Sequence, residues 1–194
     1  MQAVDAPESD YFWQRKFRDL WETAAQLYES GRRDPTSFFS KSDLDWLEGI
    51  GCSAQELYDF VEDWCDGGEP DYGTALLITA VRREYFLTIL NGKPASAHAP
   101  EETLPLRRQE LGGIAWLPRL VEKAKRKLSG TLCDDVMYCC GGDRHFLGRH
   151  GIHPADFLRV VWAHWNDEAE ILRYVRGSKE RLPHHSSPKG SDGG

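Results

Sequence analysis

The segment Tyr138 to His153, YCCGGDRHFLGRHGIH, concentrates residue types that ligate metals or do redox chemistry: Cys139, Cys140, His145, His150 and His153. A zinc or iron site needs three or four such groups converging on one point. Adjacent cysteines rarely both ligate one zinc, and the stretch holds neither Cys-x-x-Cys nor His-Glu-x-x-His. A disulfide between neighbours is strained. The expectation is therefore no metal and no cofactor, with free thiols as packing residues and His153, just before Pro154, at the cap of a helix.

A second stretch, LRRQELGGIAWLPR, offers different chemistry. Glycines let a backbone approach a ligand, and a helix start presents free N–H groups to an anion. Gly112, Gly113, Trp116 and Arg119 outline an anion pocket, with Arg107 and Arg108 near; no Gly-Lys-Ser/Thr follows, so it is not a phosphate loop. The plainer alternative is a tight turn with surface arginines. A third feature is the acidic series Glu56, Asp59, Glu62, Asp63, Asp66, Glu69 and Asp71. Carboxylate metal sites pair such residues with a Glu-x-x-His partner. The sequence has none, so the series reads as a solvated helix face.

The elements that would carry these residues are helical. Trp13, Phe17, Leu20, Trp21, Ala24, Leu27 and Tyr28 recur at helical spacing, with Ser9 as a cap and Gly31 as a stop. Short helices are expected over 41–48 and 143–149. Longer ones follow the Ser53/Glu56 capping box and run from Thr74 to about Leu90 and from Pro118 to Leu128. Pro154 opens another, and Asn166 caps a last helix ending at Gly177. Residues 93–103 read as a linker and 178–194 as a disordered polar tail.

The halves resemble each other. Leu20, Glu22 and Ala24 match Leu120, Glu122 and Ala124; Trp46-Leu47 matches Phe146-Leu147. Ala54, Leu57, Phe60, Val61 and Trp64 match Ala155, Leu158, Val161, Trp162 and Trp165 at an offset of 101, which sets Cys52 opposite His153. ALLITAVR and AEILRYVR close the comparison. An all-α fold of about eight or nine helices follows, in two duplicated units over 1–92 and 104–177. A pseudo-two-fold arrangement is the natural way to join them.

Composition bounds the function classes. The chain has 194 residues and a net charge of −7, with 40% hydrophobic and 28% charged residues. Residues 1–100 hold 9 basic and 18 acidic residues, and the rest hold 15 and 13. Such a balance argues against nonspecific nucleic-acid binding. No apolar run approaches a membrane span, and the first residues form no secretion signal. Five cysteines without framework spacing fit a reducing cytoplasm.

The stretch ELGGIAWLPRLVEKAKRKLSGTL, followed by FLGRHGI and ADFL, resembles a bacterial family catalogued as domain of unknown function 5069. The resemblance covers about 104–177 and implies a small helical fold without an assigned reaction. The first half lacks the Leu-Gly-Gly and Leu-Pro-Arg signature, which marks it as a diverged copy.

Two functions remain open. The leading one is a cytoplasmic binding or adaptor protein with a protein partner, monomeric or weakly dimeric. The other is an enzyme or small-ligand binder holding an anion near Gly112-Gly113 and Arg119. A pocket lined by Trp116, Arg119 and polar groups from both halves would favour the second.

Overall fold

The computed structural model describes residues 12–181. They form eight α-helices: α1 (Trp13–Glu29), α2 (Lys41–Gly49), α3 (Ala54–Gly67), α4 (Tyr72–Thr88), α5 (Leu117–Ser129), α6 (Gly141–Arg149), α7 (Pro154–Ala163) and α8 (Glu168–Arg181). A two-stranded hairpin, β1 (Glu110–Leu111) and β2 (Ile114–Ala115), precedes α5. The all-α expectation holds. The hairpin was not foreseen, because two-residue strands carry no periodicity to read.

Local chemistry explains most helix ends. Ser40 and Asp43 form a capping box on α2. Ser53 accepts from the Glu56 N–H at the start of α3, and Asp71 from the Thr74 N–H at the start of α4. Helix α8 is capped by Asp167, which accepts from Glu170, and not by Asn166; it continues past Gly177 to Arg181. The expected Ser9 cap and most of the polar tail lie outside the described residues.

Both halves show the same order of four helices; α1 to α3 recur about a hundred residues later as α5 to α7, and α4 recurs as α8 at a smaller offset. Phe17, Leu20, Trp21, Ala24 and Tyr28 of α1 are buried, as are Leu117, Leu120, Val121, Ala124 and Leu128 of α5. The N-caps of α2 and α6 are Ser40 and Cys140; those of α3 and α7 are Ser53 and His153. The intervening turns match bond for bond. Cys52 N–H donates to Leu47 O and Ile152 N–H to Leu147 O, each at 3.0 Å. Gly51 and Gly151 both take positive φ, 73° and 61°.

This geometry corrects the register read from the tryptophans. Cys52 corresponds to Ile152, a buried apolar position, and His153 corresponds to the capping Ser53. Trp64 lies within α3, whereas Trp165 lies in the turn after α7; both are only half-buried. Trp64 packs on Trp21 and Trp165 on Tyr85, so they fill different places. A one-residue slip is easily made when helices are compared by residue type, since neighbouring positions on an apolar stripe hold similar side chains.

Packing within each half is alike, α1 on α3 and α5 on α7. Packing between the halves is not two-fold. Helix α4 packs on α5 and α7, while the reciprocal contacts of α8 with α1 and α3 are not among the principal ones. One buried cluster runs through both halves. The segment 93–103 is no loose linker: Ala99 N–H donates to Thr131 O at 2.7 Å, and Arg126 donates to Pro100 O and Thr103 Oγ1.

A candidate ligand cleft between the halves

Helix α5 buries charge. Lys123, Arg126 and Lys127 stand at i, i+3 and i+4, so they share one stripe. They are 2%, 6% and 4% exposed. The matching residues of α1 are Thr23, Gln26 and Leu27, of which the first two are exposed. The face that meets water in α1 is covered in α5 by α3, by the segment 93–103 and by the stretch from Leu132 to Cys140.

Each buried cation has a carboxylate or carbonyl partner. Lys127 pairs with Glu56 of α3. Arg126 pairs with Glu122 at 2.8 Å. Lys123 pairs with Asp143, which is fully buried and serves as a hub: it also accepts from Trp116 Nε1 at 3.0 Å and from the Cys139 N–H at 3.0 Å. Trp116 and Cys139 both hold positive φ, 73° and 72°, an uncommon backbone state for residues with a Cβ. Gly142 permits the approach, because a Cβ there would sit 2.6 Å from the Trp116 ring. In the first half the same two positions are taken by Lys16 and Asp43, 3.4 Å apart.

Two adjoining cavities lie along this stripe. The larger, about 390 Å³, is walled by α3, by the ends of α4 and α5, by Pro94 to His98, and by Leu132 to Tyr138. The smaller, about 330 Å³, is lined by Trp116, Arg119, Lys123 and Cys140 from the second half and by Asp59, Glu62 and Asp63 from the first. Asp59, Asp134, Val136 and Met137 line both.

The electrostatics of the cleft come from burial. Asp59 is pushed up to about 7, mainly because burial disfavours its charged form, while Gln55 Nε2 donates to it at 2.6 Å and pulls the other way. Burial raises the Cys52 thiol well above its usual value and lowers the Arg82 guanidinium. Arg82 also spans the halves, donating from Nη1 to Leu128 O at the end of α5 at 2.7 Å.

The acidic series is only in part a solvated face: Asp66, Glu69 and Asp71 are exposed, whereas Glu56, Asp59, Glu62 and Asp63 are half-buried. Glu56 holds Lys127, Asp63 holds Arg144 at 2.7 Å, and Tyr28 and Tyr58 donate to Asp66 and Glu62. Through Lys127 and Arg144 the second half reaches Glu56 and Asp63.

The residues expected to hold an anion are separated by the fold. Gly112 and Gly113 form the hairpin tip, with φ of 58° and 79°. Gly112 packs on α8: its carbonyl accepts from Arg176 at 2.6 Å, and a Cβ would fall 2.4 Å from Leu172. A backbone acceptor, not a free N–H, faces the guanidinium there. Trp116 and Arg119 instead line the smaller cavity, where Arg119 pairs with Glu101 at 2.8 Å and donates to Pro105 O.

The expected metal ligands do not converge. Among the described residues no group of three or more His, Cys, Asp or Glu could hold a metal ion. His145 is exposed, His150 bonds Phe146 O through Nδ1, and His153 accepts from the Ala155 N–H. Cys139 is buried, and its thiol is pushed up to about 12 by burial. Cys140 sits at the N-cap of α6 with Lys123 Nζ 3.4 Å from its sulfur.

Sequence reasoning missed Lys123, Lys127, Arg82 and Asp143. For Lys123 and Lys127 the signal lay in the comparison of halves, where a cationic stripe on α5 replaces a neutral one on α1; Arg82 and Asp143 match residues of the same type, Arg176 and Asp43, and carried none.

The molecule is an all-α protein with a polar cleft between its first four and its last four helices. Its residues 102–187 match the model of a family described as a domain of unknown function, DUF5069. The similarity read from the Leu-Gly-Gly and Leu-Pro-Arg signature is thereby placed on the second half, including Lys123, Lys127, Cys140 and Asp143. Glu56, Asp59 and Arg82 lie outside that match. No curated protein and no solved structure matches the chain. Among the described residues no helix is long and apolar enough to cross a membrane.

Proposed function

We propose that the protein is a cytoplasmic small-molecule binder whose ligand sits in the cleft between two copies of one helical unit. The observation that carries this reading is the 390 Å³ cavity walled from both halves, with Lys127 and Arg82, each 4% exposed, in its lining. Pockets of this size that present a few placed polar groups among apolar ones are the usual form of small-ligand sites. Buried ion pairs cost desolvation energy that apolar packing would not. Their concentration along one cleft, and the neutral residues at the matching positions of α1, support a role in recognition over one in stability.

Duplication accounts for the difference. One copy keeps the stripe solvated, and the other covers it and places charges there. Native mass spectrometry of the full chain tests the reading. A bound species that dissociates on denaturation supports it, and a bare polypeptide that also shows no stabilisation by any compound of a metabolite library removes it.

The adaptor reading rests on a different observation. Leu77, Leu87 and Ile89 of α4 and the residue following it are large, apolar and exposed. A protein partner covering them would make the ligand cleft a secondary feature. Substituting all three by Ser separates the readings: it abolishes partner capture under the adaptor reading and leaves ligand binding intact under the cleft reading.

A further inference from the structure

Resting on the cleft reading, we infer that the larger cavity takes a small organic carboxylate, its anionic head on Lys127 and Arg82 and its apolar body among Phe86, Leu132, Val136 and Met137. The cavity is lined by the carboxylates Glu48, Glu56, Asp59 and Asp134 and by the cations Arg82 and Lys127. Glu48 and Asp134 are exposed to solvent and burial disfavours the charged form of Asp59, so the buried charge is that of the two cations and Glu56, which favours an anion. Lys127 and Arg82 are two buried cations, and Glu56 is the carboxylate that pairs with Lys127. A lysine ammonium has three N–H donors and an arginine has five. Beyond its ion pair with Glu56, Lys127 Nζ has no hydrogen-bond partner among the described residues. Arg82 spends Nη1 on Leu128 O, an uncharged acceptor. A buried ammonium short of acceptors is costly, and a ligand oxygen beside Lys127 Nζ and the Arg82 guanidinium supplies a charged acceptor to both.

The body of the ligand follows from the rest of the wall. Phe86, Leu132, Val136 and Met137 line the cavity, and Phe86 and Val136 are themselves buried. An inorganic anion would leave that surface facing water, whereas an alkyl or aryl acid covers it. The volume of about 390 Å³ suits a molecule of small-metabolite size. Both halves are required: Glu56 and Arg82 come from the first and Lys127 from the second.

The test is a thermal-shift titration of the full chain at fixed ionic strength. The probes are hexanoate and benzoate, their neutral amides, hexylamine, and inorganic phosphate. Hexanoate or benzoate is expected to raise Tm with concentration, because a ligand bound only by the native state stabilises it by mass action. The amides, the amine and phosphate are expected to bind at least about tenfold more weakly, the loss of one charge-assisted contact. The paired change Lys127→Met with Glu56→Gln removes one charge of each sign, leaves Arg82 on Leu128 O, and should reduce the difference between acid and amide. Met137→Trp, which fills the cavity with both charges in place, should abolish all shifts and guards against misfolding of the paired variant. Equal shifts from acids and amides, both lost in Met137→Trp, would overturn the carboxylate inference and leave the cleft reading standing. Shifts from phosphate alone would also overturn the inference, as would no shift from any probe, which leaves the cleft reading to be decided by native mass spectrometry and the metabolite library.

Discussion

Lys123 Nζ and Asp143 Oδ2 meet in the interior, where the lysine is 2% exposed and the aspartate not exposed at all. The pair ties α5 to the start of α6, and through Asp143 it also holds the Trp116 indole and the Cys139 backbone. Asp143→Ala should cost about 3–5 kcal/mol, since it strands a buried ammonium and two further donors. Lys123→Met should cost less, because Asp143 keeps two hydrogen bonds. Urea unfolding of the two variants checks the order; equal losses would mean that the carboxylate is no hub.

Asp59 sets a pH dependence with a definite sign. Its folded value, about 7, lies above the ordinary aspartate value of 3.8, so the folded protein holds a proton that the unfolded chain releases. Its contribution is fully present below the unfolded value and is lost as pH rises through the folded one. The wild type should therefore lose stability relative to Asp59→Asn between about pH 4 and pH 7. At pH 8 the variant should be the more stable by roughly 1–3 kcal/mol, and its Asn Oδ1 can still accept from Gln55. Chemical denaturation at pH 5 and pH 8 measures the crossover.

The two neighbouring thiols should differ in reactivity. Cys139 is buried and raised to about 12, so iodoacetamide at pH 8 should leave it unlabelled in the native protein. Cys52 should be equally protected. Cys140, half-buried and lining the smaller cavity, should label under the same conditions. Peptide mapping after a native pulse reads this directly, and labelling of Cys139 ahead of Cys140 would contradict the placement of the segment.

The hairpin glycines should be unequal as well. Gly112→Ala meets Leu172 at 2.4 Å in addition to its positive φ, whereas Gly113→Ala meets nothing within 4 Å. The first should cost about 2–3 kcal/mol and the second about 1 kcal/mol. Thermal unfolding of both variants tests whether the pair serves packing on α8. Similar small losses would free the hairpin tip for another role.

Trp64→Ala and Trp165→Ala should each cost less than the roughly 3–5 kcal/mol of a fully buried aromatic, because both side chains are half-buried. Trp21, 4% exposed and packed on Trp64, should cost more than either. Unfolding midpoints of the three variants rank them.

The sequence by itself determined the helices. The stripe Phe17, Leu20, Trp21, Ala24, Tyr28 repeats at 3.6-residue spacing, and Ser40, Ser53 and Asp71 carry capping oxygens at the starts of α2, α3 and α4. These are short-range effects, written within one turn of the residue concerned. The shared order of helices was legible for the same reason, but the equivalence expected of Trp64 and Trp165 fails, since one lies within α3 and the other beyond α7.

Only the tertiary structure decided which charged stripe is covered. Lys123 and Lys127 have the spacing and type of a solvated helix face, and Glu56 and Asp59 have the same on α3. Burial of a charge depends on what another element brings to it across space, and that partner lies 71 residues away for Glu56 and Lys127. Periodicity records which face is apolar; it does not record which polar face a distant segment will close over.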